Sequence, residues 1–137
     1  MTVSIQYVPT EYAAQTWPFV EHHIKRMEGF EPCDHTLDQM RMQVCTGGWT
    51  LLVAVDESNQ ITGAATVAFQ SYPNDRIAFI TSMGGRGITG RNSFKQLQEL
   101  LRAKGATRIQ GYARESMARF AKAYGLKEVA VLLDAPL

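Results

Sequence analysis

Apolar and polar residues alternate through VSIQYV, Val3 to Val8, which is the period of a strand with one buried face. The period then changes. In PTEYAAQTWPFVEHHIKRMEGF, Trp17, Val20, Ile24 and Met27 recur three or four residues apart, the stripe of an amphipathic helix. Thr10 stands where it can cap the start. Pro18 lacks an amide donor and predicts a break or restart inside the pattern, and Gly29 ends it. Thr36-x-x-Gln39 has the form of a capping box. The helix behind it is buried through Leu37, Met40 and Val44, and Gly47-Gly48 stops it.

Two apolar runs flank the polar tip DESNQ in WTLLVAVDESNQITGAATVAFQ, which predicts an antiparallel hairpin. SYPND turns the chain into a further strand, RIAFITSM. The glycine-rich stretch GGRGITGR, Gly84 to Arg91, follows directly. Ser93-x-x-Gln96 reads as a second capping box, ahead of a helical repeat of Phe94, Leu97, Leu100, Leu101 and Lys104 that Gly105 terminates. TRIQGYA, Thr107 to Ala113, is a strand. Ser116 can cap a helix whose apolar face is Met117, Phe120, Ala121 and Tyr124, with Gly125 at its end, and KEVAVLL is the last strand. The predicted class is α+β: one domain over residues 1–137 with a mostly antiparallel mixed sheet flanked by helices. RIAFITSM, the helix after the glycines and TRIQGYA form its one parallel βαβ crossover, of right-handed sense.

Composition narrows the function only by exclusion. The 137 residues are 45% hydrophobic and 20% charged, a globular balance, and the net charge of +1 implies no long-range field for nucleic acid or an anionic membrane. MTVSIQYVPT lacks the charged and apolar regions of a signal peptide, and no apolar run approaches the ~20 residues of a spanning helix. The two cysteines, Cys33 and Cys45, do not make a disulfide framework; reduced thiols in a cytoplasmic protein are the simpler expectation.

The glycine stretch carries the chemistry. A strand-to-helix turn offers unpaired N–H groups and the positive end of a helix dipole, glycines let a bulky anion approach, and Arg86 and Arg91 can add charge-assisted hydrogen bonds. Strand, GGRGITGR and helix together have the physical form of a pyrophosphate cradle. The plainer alternative is a glycine turn with two solvated arginines. Gly85, Gly87 and Gly90 match G-x-G-x-x-G, but there is one βαβ unit and no carboxylate ~20 residues on, where RIQGYA stands. A phosphate-binding Walker loop fails too, because Arg-Asn follows Gly90.

In element order from Val3 to Leu133 the chain resembles the GCN5-related N-acetyltransferase (GNAT) family. The likeness is strongest from RIAFITSM through the glycine loop to AKAYGLKEVAVLL. The GGR form of the loop, with AKG and YAR following, also resembles short acetyltransferase-like proteins encoded by phages. The resemblance implies a GNAT-like fold and acetyl-CoA as co-substrate. It implies that Thr81, Ser82 and Met83 lie along the thioester arm and that Arg86, Gly87, Ile88, Thr89, Gly90 and Arg91 hold the pyrophosphate. Thr89 stands where the family pattern has glycine, Ala121 where it has its usual tyrosine acid, and RIAFITSM lacks the frequent glutamate base.

Acetyl transfer to an amine needs a lost proton, a polarised carbonyl and a leaving thiolate. Main-chain N–H groups around Thr81–Met83 can polarise the carbonyl, and a water chain can carry the proton. Tyr124, one turn after Ala121, is the candidate acid, and Glu115, just past the crossover strand, the candidate base. Each has a plainer alternative: Tyr124 shares the core spacing of Met117 and Phe120, and Glu115 suits a helix's first turn. Tyr112 can face the cleft or solvent.

No metal is expected. His22 and His23 are adjacent and point to different faces of a helix, and Cys33-Asp34-His35 lacks ligand spacing. Asp34 and His35 can instead border the acceptor. Met40 and Met42 read as core and the basic helix faces as solvated surface. The acceptor class is a small-molecule or peptide amine, and a C-terminal edge strand can pair two subunits as a homodimer. The alternative function is a catalytically degenerate GNAT-fold binding or structural module, for example a phage protein contacting a host or virion partner. Ala121, Thr89 and the carboxylate-free strand favour it.

Overall fold

A computed structural model describes residues 2–30 and 34–137. Five strands form one sheet in the order β1-β2-β3-β4-β5: β1 Val3–Val8, β2 Thr50–Asp56, β3 Ile61–Ser71, β4 Arg76–Gly85 and β5 Arg108–Gly111. The first four are antiparallel neighbours; β4 and β5 are parallel, joined by helix α4, Arg91–Ala103. The predicted α+β class and the single crossover both stand.

Each face of the sheet is covered because each strand's alternate side chains need an apolar partner. On one face α4 buries Leu97 and Leu101 against Val3, Ile5, Leu52, Ala54, Ala65, Val67 and Ala78. On the other lie α1 (Thr10–Thr16), α2 (Glu21–Ile24) and α3 (Leu37–Cys45), which bury Trp17, Val20, Ile24, Met40 and Val44. Pro18 breaks the first helical segment as expected, with 3-10 turns at Trp17–Phe19 and Lys25–Met27. The Thr36–Gln39 capping box forms in full, whereas Met42, read as core, is 59% exposed.

Other expectations change. Thr10 is inside α1 behind Pro9, and α5, Glu115–Lys122, is preceded by Arg114, so neither Thr10 nor Ser116 caps. Ser93 and Gln96 make no capping box, because α4 starts earlier at Arg91. Gln96 reaches across to β1 instead: its Oε1 accepts from Ile5 N at 2.9 Å and its Nε2 donates to the Val3 carbonyl at 3.0 Å. One side chain thus satisfies the edge strand as a neighbouring strand would.

The expected strand TRIQGYA is cut to Arg108–Gly111, and KEVAVLL forms no strand. Among the described residues the last main-chain hydrogen bond runs from Leu126 N to Ala121 O. Beyond it Val129, Val131 and Leu133 are 68%, 84% and 88% exposed. An apolar run carries strand propensity, but a strand exists only where a neighbour takes its hydrogen bonds, and no described segment pairs with the outer edge of β5.

Candidate functional site

The site begins where β4 and β5 part. They pair only from Ile77–Ile80 against Arg108–Gly111. Residues 81–85 of β4 continue against β3 alone, which opens a split in the sheet. A β-bulge marks the same point: Val67 pairs with Ile80 and Thr66 with Ser82, so Thr81 is the extra residue. The bulge brings two successive side chains to one face, and the Thr81 and Ser82 hydroxyls both meet that of Thr66, the Thr81 contact at 2.7 Å. Thr66 and Ser82 are buried, so the trio satisfies polar groups that the core would otherwise strand.

Gly84 and Gly85 belong to the strand, not to the loop. The α2 segment crosses directly over them, and a methyl group at Gly84 would overlap the His23 carbonyl oxygen. The first two glycines of GGRGITGR therefore serve packing, and the anion question concerns residues 86–93 only.

That loop is fixed from behind. Arg86 N donates to the Thr62 carbonyl at 2.8 Å, and the Thr62 hydroxyl donates back to the Arg86 carbonyl at 2.8 Å. The Ser93 hydroxyl donates to the Gly87 carbonyl, and Ile88, 2% exposed, anchors the turn in the core beside Leu97 and Leu101. The carbonyls of Arg86 and Gly87 and the side chain of Ile88 are thus engaged. The main-chain N–H groups of Gly87 through Ser93 donate to no acceptor among the described residues; the first to do so is Phe94 N, to Gly90 O. Gly87 takes the positive φ of 77° that the turn needs, and Thr89 does not have one, so its β-branch fits without strain. Gly90 is the N-cap of α4, and a Cβ there would meet nothing within 4 Å. Arg86 and Arg91 are exposed and in no ion pair among the described residues.

A cleft of about 430 Å³ runs from this loop through the split. Ile80, Ser82 and Met83 form its β4 wall, Thr89 and Gly90 one end, α4 contributes Phe94, α5 contributes Phe120 and Ala121, and Tyr124 follows from the turn after α5. Arg26, Met27, Phe30 and Arg114 line it too. Met27 belongs to the core on the α1–α3 side and Phe94 to that on the α4 side, so the cleft communicates between the two faces. Tyr124 lies between Phe94 and Phe120, ring centroids 5.4 and 5.3 Å away, and its hydroxyl has no hydrogen-bond partner among the described residues. Tyr112 also lines the cleft, edge-on to Phe79 at 5.2 Å. Glu115 does not: it is an exposed residue of the first turn of α5, the plainer of its two alternatives.

The histidines are structural in what they contact. His23 sits 3.1 Å from the Ile61 carbonyl through Nε2, which makes that nitrogen the donor and leaves Nδ1 toward Gly85. Burial lowers its pKa below the usual imidazole value; His22 and Arg86 lower it further, against the raising effect of the Ile61 hydrogen bond. The His22 and His23 rings lie 3.9 Å apart, tilted by 41°. His35 packs edge-on to Trp49 at 4.8 Å, away from the cleft. Cys33 lies outside the described residues. No group of three metal-ligating side chains occurs among the described ones.

Sequence reasoning missed the parts that hold the loop. Thr62 and Thr66 are the two hydroxyl residues within the apolar run ITGAATVAF of β3, which is the signal that was there to find. Arg26 and Arg114 carried no pattern of their own.

Five strands, one parallel crossover and a split opening on a glycine turn define the fold: the chain has the fold of the GNAT acetyltransferases. Among solved structures it is similar to a predicted acetyltransferase with acetyl-CoA from Clostridium acetobutylicum, at 17% identity and a TM-score of 0.67, over 98% of this chain and 96% of that one. An aminoglycoside acetyltransferase from an uncultured soil metagenomic sample, in complex with sisomicin, aligns at 16% identity and a TM-score of 0.69, over 98% and 96%. Glucosamine-6-phosphate N-acetyltransferase from Arabidopsis thaliana aligns at 10% identity and a TM-score of 0.64, over 99% of each chain. No family model matches the sequence, and no curated protein does.

Proposed function

We propose that this protein is an acyl-CoA-dependent N-acyltransferase that moves an acetyl group from acetyl-CoA to an amine. The observation that carries the reading is the run of main-chain N–H groups from Gly87 to Ser93, without acceptors, at the start of α4. Seven donors and a helix dipole at one place suit a diphosphate, and the open space at Gly90 admits one. Arg86 and Arg91 add charge. The apolar cleft then suits the coenzyme's arm along residues 81–83. A fold neighbour with acetyl-CoA supports the same choice.

When bound, acetyl-CoA supplies a thioester: the amine nitrogen bonds to its carbonyl carbon, the C–S bond breaks, and the sulfur leaves as a thiolate that takes a proton. Within Thr81–Met83, the main-chain N–H groups that turn away from β3 are the donors we assign to the carbonyl oxygen as it gains charge. Tyr124, its hydroxyl unengaged inside the cleft, is the proton donor we assign. No carboxylate among the described residues lines the cleft, so the amine's proton leaves through water. Holding both reactants in one split of the sheet supplies much of the acceleration.

Isothermal titration with acetyl-CoA tests this. The reading requires saturable binding that Arg86→Ala weakens; absence of heat at millimolar ligand would contradict it. The second reading, a fold kept for binding another partner, is favoured by Ala121 at the cleft wall, and it requires that absence.

A further inference from the structure

Resting on the acyltransferase reading, we infer that the acceptor is an amine that also carries a carboxylate, an amino acid with an apolar body, and not a polycationic amine. The observation is the charge of the cleft. Its charged lining residues are Arg26 and Arg114, and no aspartate or glutamate among the described residues lines it. Neither arginine is in an ion pair with a described residue. The carboxylates adjoining them in sequence are otherwise placed: Glu28 Oε2 accepts from Leu37 N at 2.7 Å, and Glu115 makes no ion pair.

Arg114 is held in position. Its guanidinium lies over the Phe30 ring, 5.2 Å from the centroid, and its fork of N–H donors meets no acceptor among the described residues. Arg26 and Phe30 lie toward the α2 side of the sheet, whereas Gly87–Ser93 open at α4. Two cations with no ion pair among the described residues, away from the phosphate end, repel a polyamine or an aminoglycoside and attract an anion. Arginine pairs with a carboxylate through two parallel hydrogen bonds, which fixes the orientation of the amine beside it. Met27, Phe30 and Met117 give the rest of that end an apolar wall suited to a hydrophobic side chain.

The test compares four amines with acetyl-CoA by thiol release: phenylalanine, phenylalaninamide, phenethylamine and sisomicin. A second readout is calorimetry, with N-acetylphenylalanine and N-acetylphenethylamine titrated into the CoA-loaded protein. Phenylalanine is expected to exceed the other three in kcat/KM by about tenfold or more, the scale of a lost charge-assisted hydrogen-bond pair. N-acetylphenylalanine should bind tighter than its carboxylate-free analogue by a similar factor. Arg26→Gln and Arg114→Gln should each erase most of that preference while leaving acetyl-CoA affinity within about twofold. Equal use of phenethylamine, phenylalaninamide (the model of a peptide N-terminus) or sisomicin overturns the inference, as does a loss of acetyl-CoA affinity in either variant. These results leave the acyltransferase reading standing; only failure of the wild-type protein to bind acetyl-CoA removes that reading, and the inference with it.

Discussion

Gly84 and Gly90 look alike in the sequence, and the structure gives them opposite roles that one pair of substitutions separates. A methyl at Gly84 would overlap the His23 carbonyl oxygen and lie 3.0 Å from its carbon and 3.5 Å from Ile24 Cα. These are backbone atoms that no rotamer change can move, so α2 must retreat from β4 by roughly an ångström or more, at a cost of about 1–3 kcal/mol. For a domain of this size about 4 °C of melting temperature goes with each kcal/mol, so Gly84→Ala should melt about 4–12 °C lower. At Gly90 φ is 176°, extended backbone open to any residue, and a Cβ meets nothing. Gly90→Ala should leave the melting temperature within about 2 °C, since the roughly 0.5–1 kcal/mol by which alanine is the poorer N-cap is offset by a similar gain from the less flexible unfolded chain. Its methyl stands where an anion must approach the loop, so acetyl-CoA affinity should fall by about tenfold or more, 1.4 kcal/mol. Scanning fluorimetry and calorimetry on both proteins check this. A Gly84→Ala protein as stable as wild type, or a Gly90→Ala protein with undiminished affinity, refutes the division of the loop into packing and ligand halves.

Tyr124→Phe should lower kcat by about a hundredfold or more without lowering the melting temperature, because the hydroxyl has no partner to lose among the described residues; an unchanged kcat removes Tyr124 from the chemistry. Thr62→Val keeps the shape of the side chain and deprives the Arg86 carbonyl of its donor, so it should cost about 1–3 kcal/mol in chemical denaturation and weaken acetyl-CoA binding as the loop loosens. His23 has a folded-state pKa below its unfolded value of 6.5. The unfolded chain therefore binds more protons just below that pH, and stability is full above about pH 6.5 and falls as the pH drops toward the folded value. His23→Gln should flatten this slope, read from urea midpoints between pH 5 and 8; a slope that persists assigns it to other groups.

Most of the fold was legible because its signals are local. The Thr36–Gln39 box, the break at Pro18 and the DESNQ hairpin each follow from a few neighbouring residues. The crossover was legible too, because a strand, a glycine turn and a periodic helix admit one topology. What escaped depends on distant partners. Gln96 reads as a cap residue until β1 is seen across from it, 91 positions away in the chain. KEVAVLL reads as a strand until the sheet is seen to give it no neighbour. The site was half visible. GGRGITGR marked the right turn, but nothing local divides it at Gly85, because that boundary is set by where α2 crosses β4. Tyr124 came to the cleft as its helical stripe allowed, and Glu115 did not, since a first-turn residue points where the dipole and solvent favour it. Arg26 and Arg114 are far apart in sequence and come to the same cleft only in the fold.

The central claim is that the amides of Gly87 through Ser93 are free to grip a diphosphate. Amide-resolved NMR of the labelled protein, titrated with acetyl-CoA, observes those seven groups directly. The account predicts that their resonances shift together and saturably, ahead of those in α1 and α3, and that desulfo-CoA reproduces the shifts. A spectrum unchanged at millimolar acetyl-CoA, or shifts confined to other parts of the chain, would contradict it.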